Sequence, residues 1–195
     1  MIVSDKHNFV FFHVYKVAGT SIRKVLEPLS TFIHPFGHFK PSDFRTMKME
    51  DGRTGQEIMD EFFTFAFVRN PWDWHVSLFH YMKNPCHPNH KLMKDMSFEE
   101  YVTWYINEDQ KTQYQLISIN KDNSSPIELS YIGRFETIED DFKYICNTLN
   151  ISCELPHENK AHRQREHYST YYNDVTREDI LNCNKKDVEY FEYEF

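Results

Sequence analysis

Residues 9–21 read FVFFHVYKVAGTS and predict a buried strand, a tight turn and the start of a helix. The apolar run at its beginning is typical of a strand inside a sheet. Gly19 allows the backbone to approach an anion closely, and Thr20 and Ser21 open a helix whose N–H groups and dipole favour negative charge. Lys16 adds a mobile cation. The stretch therefore predicts a cradle for phosphate-like groups.

The order of lysine and glycine in this loop differs from that of common ATP-binding proteins. A Walker A loop places its glycines before a Lys-Ser/Thr pair, whereas Lys16 precedes Gly19 by three residues. We therefore expect phosphate-like groups on the ligand, but not the chemistry of an ordinary ATPase.

A second strand-to-helix stretch, FFTFAFVRNPWDWHVSLF at residues 62–79, also carries anion-binding side chains. Pro71 suits the first turn of a helix, so Arg69 stands at the carboxyl end of the preceding strand. Ser77 follows about two helical turns later. We expect Arg69 and Ser77 to bind one phosphate together.

The two stretches resemble the sulfotransferase family, specifically its carbohydrate branch. In that branch a Lys-x-x-Gly-Thr-Ser loop is followed by an Arg-(Asn/Asp)-Pro segment, and the spacing from Arg69 to Ser77 fits that segment. Residues 132–142 look like the family's later strand-to-helix segment, and residues 187–195 look like its C-terminal ending. The resemblance covers nearly the whole chain.

This resemblance implies a ligand and a fold. The ligand is 3′-phosphoadenosine 5′-phosphosulfate (PAPS), consumed as the sulfate donor, and the fold is α/β, with a P-loop-like parallel β-sheet flanked by helices on both faces. The reaction implied is direct in-line transfer of the sulfuryl group to a hydroxyl, of a carbohydrate by the branch, without a metal. Position by position, the motifs assign the phosphosulfate to Lys16, Ala18, Gly19, Thr20 and Ser21, and the 3′-phosphate to Arg69 and Ser77.

A general base is needed because the acceptor hydroxyl must lose its proton as it attacks sulfur. Of the eleven histidines, His38 has a Gly-His context that resembles the segment carrying the catalytic histidine in heparan-type 2-O-sulfotransferases. Histidine titrates near neutrality and suits this role. We predict His38 as the base and Lys16 as the residue that stabilises charge on the transferring group. His34 is the alternative base, and Glu136 a weaker one.

Three other features have less specific interpretations. His13 lies within the first strand and His75 within the second helix, so we expect both to pack or hydrogen-bond rather than react. The basic segment at residues 157–165 is as compatible with contact to the nucleotide or an anionic acceptor as with a solvated surface.

Composition favours one catalytic domain spanning residues 1–195. The 195 residues are 40% hydrophobic and 16% aromatic, which is enough for a substantial core. The net charge of −8 argues against a nucleic-acid-binding protein, because phosphate neutralisation needs an excess of Lys and Arg on one face.

Cysteine spacing and hydropathy bear on metal and location. The four cysteines show no Cys-x-x-Cys pair, and the cluster CHPNH at residues 86–90 is a weak metal motif. No apolar run approaches the ~20 residues that a membrane span requires, and the N-terminus lacks a signal-peptide pattern. We expect a soluble, cytoplasmic protein without a membrane span.

The hydrophobic pattern predicts strands that alternate with helices, which is typical of a parallel sheet with ligands at the carboxyl ends of its strands. Strands are predicted at residues 8–14, 62–69 and 128–134, and helices at 19–27, 41–47, 55–61, 71–83, 97–107 and 137–149.

Two functions from other classes stay open at this level. One is a nucleotide or small-molecule kinase of P-loop-like architecture, and the other is a non-catalytic nucleotide-binding module. Architecture alone does not separate them from a sulfotransferase.

Overall fold

A computed structural model describes residues 1–35, 37–108, 110–119, 127–152, 154–156 and 166–195 of the chain. The basic segment at 157–165, for which both a ligand contact and a solvated surface were left open, lies outside these ranges. The chain divides into two compact units, which are described in turn. Unit 1 comprises residues 1–68 and 113–160, and unit 2 comprises residues 69–112 and 161–195.

The described residues form five strands and ten α-helices. The strands are β1 (Ile2–Ser4), β2 (Phe9–Phe12), β3 (Phe32–Ile33), β4 (Phe63–Val68) and β5 (Tyr131–Arg134). The helices are α1 (Gly19–Leu26), α2 (Pro41–Phe44), α3 (Gly55–Glu61), α4 (Pro71–Met82), α5 (His90–Met93), α6 (Phe98–Asn107), α7 (Gln113–Ile117), α8 (Ile138–Thr148), α9 (Asp174–Cys183) and α10 (Lys185–Phe191).

Unit 1 is built on a five-stranded sheet with the order β3-β1-β2-β4-β5. Strands β2, β4 and β5 are parallel, which confirms the predicted α/β class and its three strands. The sheet is not parallel throughout, because β1 pairs antiparallel with both β2 and β3. Neither β1 nor β3 was predicted, since two or three residues are too few to show a period.

Aromatic side chains pack the centre of this sheet. Every residue of β2 is buried, as are the last five of β4, so both strands are continuous apolar runs. Phe11 lies opposite Phe65 in the parallel register, with ring centroids 5.3 Å apart. At the next pair of strands Gly133 lies against Phe67, where a Cβ would come within 2.4 Å of the Phe67 ring.

Local capping explains where several helices begin. Thr54 and Glu57 form a reciprocal capping box at the start of α3, and Ser97 and Glu100 form another at the start of α6. Ser97, the first residue of the helix predicted at 97–107, is thus the N-cap of α6. The helix predicted at 41–47 is shorter and ends at Phe44.

Unit 2 consists of α4, α5, α6, α9 and α10. Its core includes the fully buried side chains of Trp74 and Tyr101. His75 is also fully buried, and its ring nitrogens bond Tyr101 Oη at 3.1 Å and Asn184 Nδ2 at 2.9 Å. Because an amide nitrogen only donates, Nε2 of His75 is the acceptor and Nδ1 carries the proton. His75 is therefore a packing residue, as expected.

Candidate functional site

The turn between β2 and α1 is made by residues in an unusual backbone conformation. Lys16 has a φ of 65° and Ala18 a φ of 60°, both in the left-handed region. Residues with a Cβ enter this region at a cost of about 1–2 kcal/mol each. Such strain recurs at ligand-binding loops. Gly19 itself does not have a positive φ.

The first turn of α1 presents backbone N–H groups. Ser21 N and Ile22 N donate to the Ala18 carbonyl at 3.0 and 3.3 Å. Ala18 is the N-cap and provides no side-chain bond. Within the described ranges, the N–H groups of Gly19 and Thr20 have no hydrogen-bond partner. These two donors and the positive end of the helix dipole make the start of α1 suited to an anion.

Gly19 has a packing role that the sequence did not reveal. A Cβ on Gly19 would lie 1.6 Å from Nε2 of His13, so the imidazole occupies the space of the missing side chain. No residue other than glycine fits at this position without displacing His13. The prediction that His13 packs rather than reacts is consistent with this contact.

His38 lies beside the same loop of unit 1. Its Nδ1 is 3.0 Å from the backbone carbonyl oxygen of His13. Its ring centroid is 4.5 Å from that of His13 and 5.4 Å from that of Tyr15. A carbonyl oxygen only accepts, so Nδ1 carries the proton and the lone pair of the neutral ring is on Nε2. This is the tautomer that a base acting through Nε2 requires.

Both histidines of this cluster are held in the neutral form at neutral pH. Burial, together with the positive charges of His38, the N-terminus and Arg23, lowers the pKa of His13 to about 3. Partial removal of the ring from water also lowers the pKa of His38, although the bond to the His13 carbonyl opposes that shift. His38 is thus able to accept a proton at neutral pH.

The alternative base, His34, has a different environment in the same unit. Its ring stacks on Phe39, with centroids 3.7 Å apart and planes 20° from parallel. Its backbone N–H donates to the Met1 carbonyl at 3.2 Å. Glu136, the third candidate, is exposed just after β5.

Arg69 and Ser77 belong to unit 2. Arg69 is only 3% exposed and forms an ion pair with Asp73, with Nη2 2.6 Å and Nε 2.8 Å from Oδ2. Ser77 lies one turn beyond Asp73 on α4. Its Oγ is buried and has no hydrogen-bond partner within the described residues. Buried hydroxyl groups normally have a hydrogen-bond partner, and a bound ligand would supply one here.

Asp73 is a residue that the sequence reasoning missed. The signal was present, because Arg69 and Asp73 are four residues apart across the start of a predicted helix.

No cluster of three or more His, Cys, Asp or Glu side chains able to hold a metal ion occurs in the described residues. Nor do these residues include a helix long and apolar enough to cross a membrane.

Two comparisons with known proteins gave matches. The model of the sulfotransferase family matches residues 1–194. Among solved structures, the chain is similar to mouse sulfotransferase SULT7A1 complexed with PAP, with a TM-score of 0.56 and 13% identity over 95% of this chain and 85% of that chain. No curated protein matches.

Proposed function

Since this chain belongs to the sulfotransferase family, we propose that it transfers the sulfuryl group of PAPS to a hydroxyl of a carbohydrate. The observation that carries the proposal is the anion cradle at the start of α1, where the Gly19 and Thr20 N–H groups stand beside the strained Lys16–Ala18 turn. PAPS as the donor is supported by the solved mouse sulfotransferase, whose complex contains PAP.

The proposed reaction is a direct in-line displacement at sulfur. The acceptor oxygen forms a bond to sulfur while the bond from sulfur to the 5′-phosphate oxygen breaks, and 3′-phosphoadenosine 5′-phosphate (PAP) leaves. The acceptor proton moves to Nε2 of His38. Lys16 and the amides of Gly19, Thr20 and Ser21 stabilise the charge that develops on the bridging and equatorial oxygens.

Arg69 and Ser77 are proposed to bind the 3′-phosphate. The Arg69 guanidinium is buried and paired with Asp73, and the buried Ser77 hydroxyl has no partner among the described residues. Both suit a phosphate, because charge-assisted bonds to phosphate are strong in a dry environment. Besides Lys16, Gly19, Thr20 and Ser21, the backbone of Ala18 is proposed to contact the phosphosulfate.

The carbohydrate acceptor rests on the likeness of two segments to the carbohydrate branch. These are the Lys16-x-x-Gly19 loop and the Gly37-His38 pair. The tautomer of His38 supports its role. A base that accepts the proton of a sugar hydroxyl must be neutral, and its lone pair must be on the nitrogen that does not make the anchoring hydrogen bond.

We also propose that the protein acts in the cytoplasm. One observation stands against it, because Cys146 is disulfide-bonded and a reducing cytosol disfavours such bonds. Mass spectrometry of protein alkylated directly in cells would contradict a cytoplasmic location if Cys146 were protected from the reagent.

The decisive experiment measures transfer of radiolabelled sulfate from PAPS to a panel of polysaccharides, phenols and tyrosine peptides. We expect transfer to polysaccharides and its loss in Lys16→Ala, while Lys24→Ala, at an exposed position of the following helix α1, remains active. Transfer only to phenols or peptides would contradict the acceptor class. Calorimetry with PAP, and with ATP plus Mg²⁺, separates the alternatives. Binding of ATP plus Mg²⁺ without binding of PAP would favour a kinase.

A further inference from the structure

The guanidinium of Arg69 is fixed by a carboxylate one helical turn further along the chain. One oxygen, Oδ2 of Asp73, accepts from Nε at 2.8 Å and from Nη2 at 2.6 Å. Both donors lie on the same edge of the planar guanidinium. The two bonds therefore set the direction of the whole group, as a single contact would not.

Asp73 is itself held in place by the start of α4. The side-chain oxygen of Asn70 accepts from the backbone N–H groups of Trp72 and Asp73 at 3.1 and 3.4 Å. The amide nitrogen of Asn70 donates to the Glu194 carbonyl at 2.7 Å. A carboxylate in the first helical turn is also favoured by the helix dipole. The backbone that carries the partner of Arg69 is thus held by the cap of α4.

Burial makes this partner necessary. Arg69 is 3% exposed, and a buried arginine without a counter-charge is strongly disfavoured. Asp73 balances the charge of Arg69 before any nucleotide is bound. The guanidinium can therefore stay buried in one orientation, and a ligand does not have to order it.

We infer that Asp73 is a positioning residue for the 3′-phosphate, and that it acts through Arg69. The inference rests on the proposed role of Arg69. Binding is tighter when the receptor group is ordered beforehand, because less conformational entropy is lost on association. Asp73 thus improves the affinity for an anion even though it carries a negative charge, since orienting the guanidinium outweighs the repulsion.

Calorimetry with PAP tests this inference. Asp73→Ala should weaken the affinity for PAP by about tenfold, whereas Asp73→Asn, which retains an oxygen acceptor, should weaken it by about threefold. Affinity for adenosine 5′-monophosphate, which lacks the 3′-phosphate, should be unchanged in both variants. A general disturbance of unit 2 would not distinguish the two nucleotides.

A double-mutant cycle separates this inference from the proposal beneath it. Arg69→Ala alone should weaken PAP binding by roughly ten- to a hundredfold. In that background, adding Asp73→Ala should change the affinity by less than about twofold, because a residue that acts through Arg69 has nothing left to position. If Arg69→Ala binds PAP as the parent does, the role of Arg69 is wrong, and the inference fails with it.

Asp174→Ala is the matched control. Asp174 also lies in the first turn of a helix of unit 2 and pairs with an arginine, Arg177, at 3.7 Å, but this pair is exposed. We expect parental affinity for PAP in this variant. PAP binding that is unchanged or tighter in Asp73→Asn overturns the inference, as does an equal loss from Asp73→Ala with and without Arg69. Asp73→Asn conserves shape, so it serves if Asp73→Ala does not fold.

Discussion

At the scale of single residues, the β2–α1 loop combines strain with close packing. Lys16 and Ala18 are left-handed although neither is glycine, and Gly19 is needed for the ring of His13 rather than for its own dihedral angles. His38 is anchored to the carbonyl of His13, the residue that begins the loop. The geometry of the proposed base and of the proposed anion cradle therefore depends on the same short segment.

His38→Ala should separate catalysis from donor binding. We expect turnover to fall by about a hundredfold or more, the usual contribution of a positioned base, with little change in the affinity for PAP. In the parent, activity should fall as the pH drops through the pKa of His38. Since that pKa is lowered, the acidic limb should lie below the reference value of about 6.5. Steady-state rates against pH measure both effects.

The matched control for the base is His34→Ala, which should do much less. The His34 ring stacks on Phe39 and lies outside the contact between His38 and the loop. If His38→Ala retains parental activity both above and below the reference pKa of about 6.5, the assignment is wrong and His34 or Glu136 becomes the candidate.

Ala18→Gly should stabilise the protein. Relief of the left-handed conformation is worth about 1–2 kcal/mol, and the greater flexibility of glycine in the unfolded chain takes back about 0.4–1 kcal/mol. We therefore expect a net gain of roughly 0.5–1 kcal/mol by urea denaturation. Ala66→Gly, at a buried strand position, should instead destabilise. A loss of stability in Ala18→Gly would mean that the left-handed residue causes no strain.

At the scale of elements, one carboxylate joins β5 to α8 within unit 1. Asp141 accepts from Tyr131 Oη at 2.6 Å, from Arg134 N at 2.7 Å and from Thr137 Oγ1 at 2.8 Å. Burial, together with the hydrogen bond to Asp141, raises the pKa of Tyr131 to about 12. Asp141 thus connects the end of a strand with the first turn of the helix that follows it.

Asp141→Ala should destabilise unit 1 by about 2 kcal/mol, because hydrogen bonds to a charged group are worth roughly 1.5–3 kcal/mol and two of the three donors belong to β5. Chemical denaturation measures the change. Asp140→Ala is the control, since Asp140 is an exposed neighbour on the same helix and should change stability by less than about 0.5 kcal/mol. Equal stabilities of the two variants would show that Asp141 does not join these elements.

At the scale of the whole molecule, buried neutral histidines set the response to acid. Burial lowers the pKa of His75 to about 3. Burial has the same effect on His13 in unit 1. Protons bind these rings in the unfolded chain before they bind them in the folded one. Stability is therefore greatest above the unfolded pKa of about 6.5 and falls as the pH drops below it.

From His75 alone, the free energy of unfolding should be about 2 kcal/mol lower at about pH 5 than at about pH 7. Urea denaturation at the two pH values measures the difference, with separate transitions watched for in the two units. In His75→Gln the difference should shrink, although the variant is less stable at neutral pH. His167→Gln, at an exposed position, should retain the parental difference. A parental stability that does not change with pH would contradict the buried neutral state of His75.

Local signals in the sequence were enough for the main elements and for the family. The apolar runs of β2 and β4, the proline at the start of α4 and the capping pair at Ser97 each act within a few residues, so they can be recognised without a structure. The two anion motifs are equally local. They indicated the sulfotransferase family, which the family model confirms over residues 1–194.

Contacts between residues distant in sequence were decided only by the tertiary structure. Strand β1 pairs with β2 and with β3. Strands of two or three residues are too short to show a period in the sequence, so these strands are defined by their pairing. The proton of His38 is placed by a carbonyl 25 residues away. The tautomer of His75 is fixed by Asn184, 109 residues away. Sequence determines which chemistry is available, whereas burial and partner geometry arise on folding and determine which protonation state and orientation each group adopts.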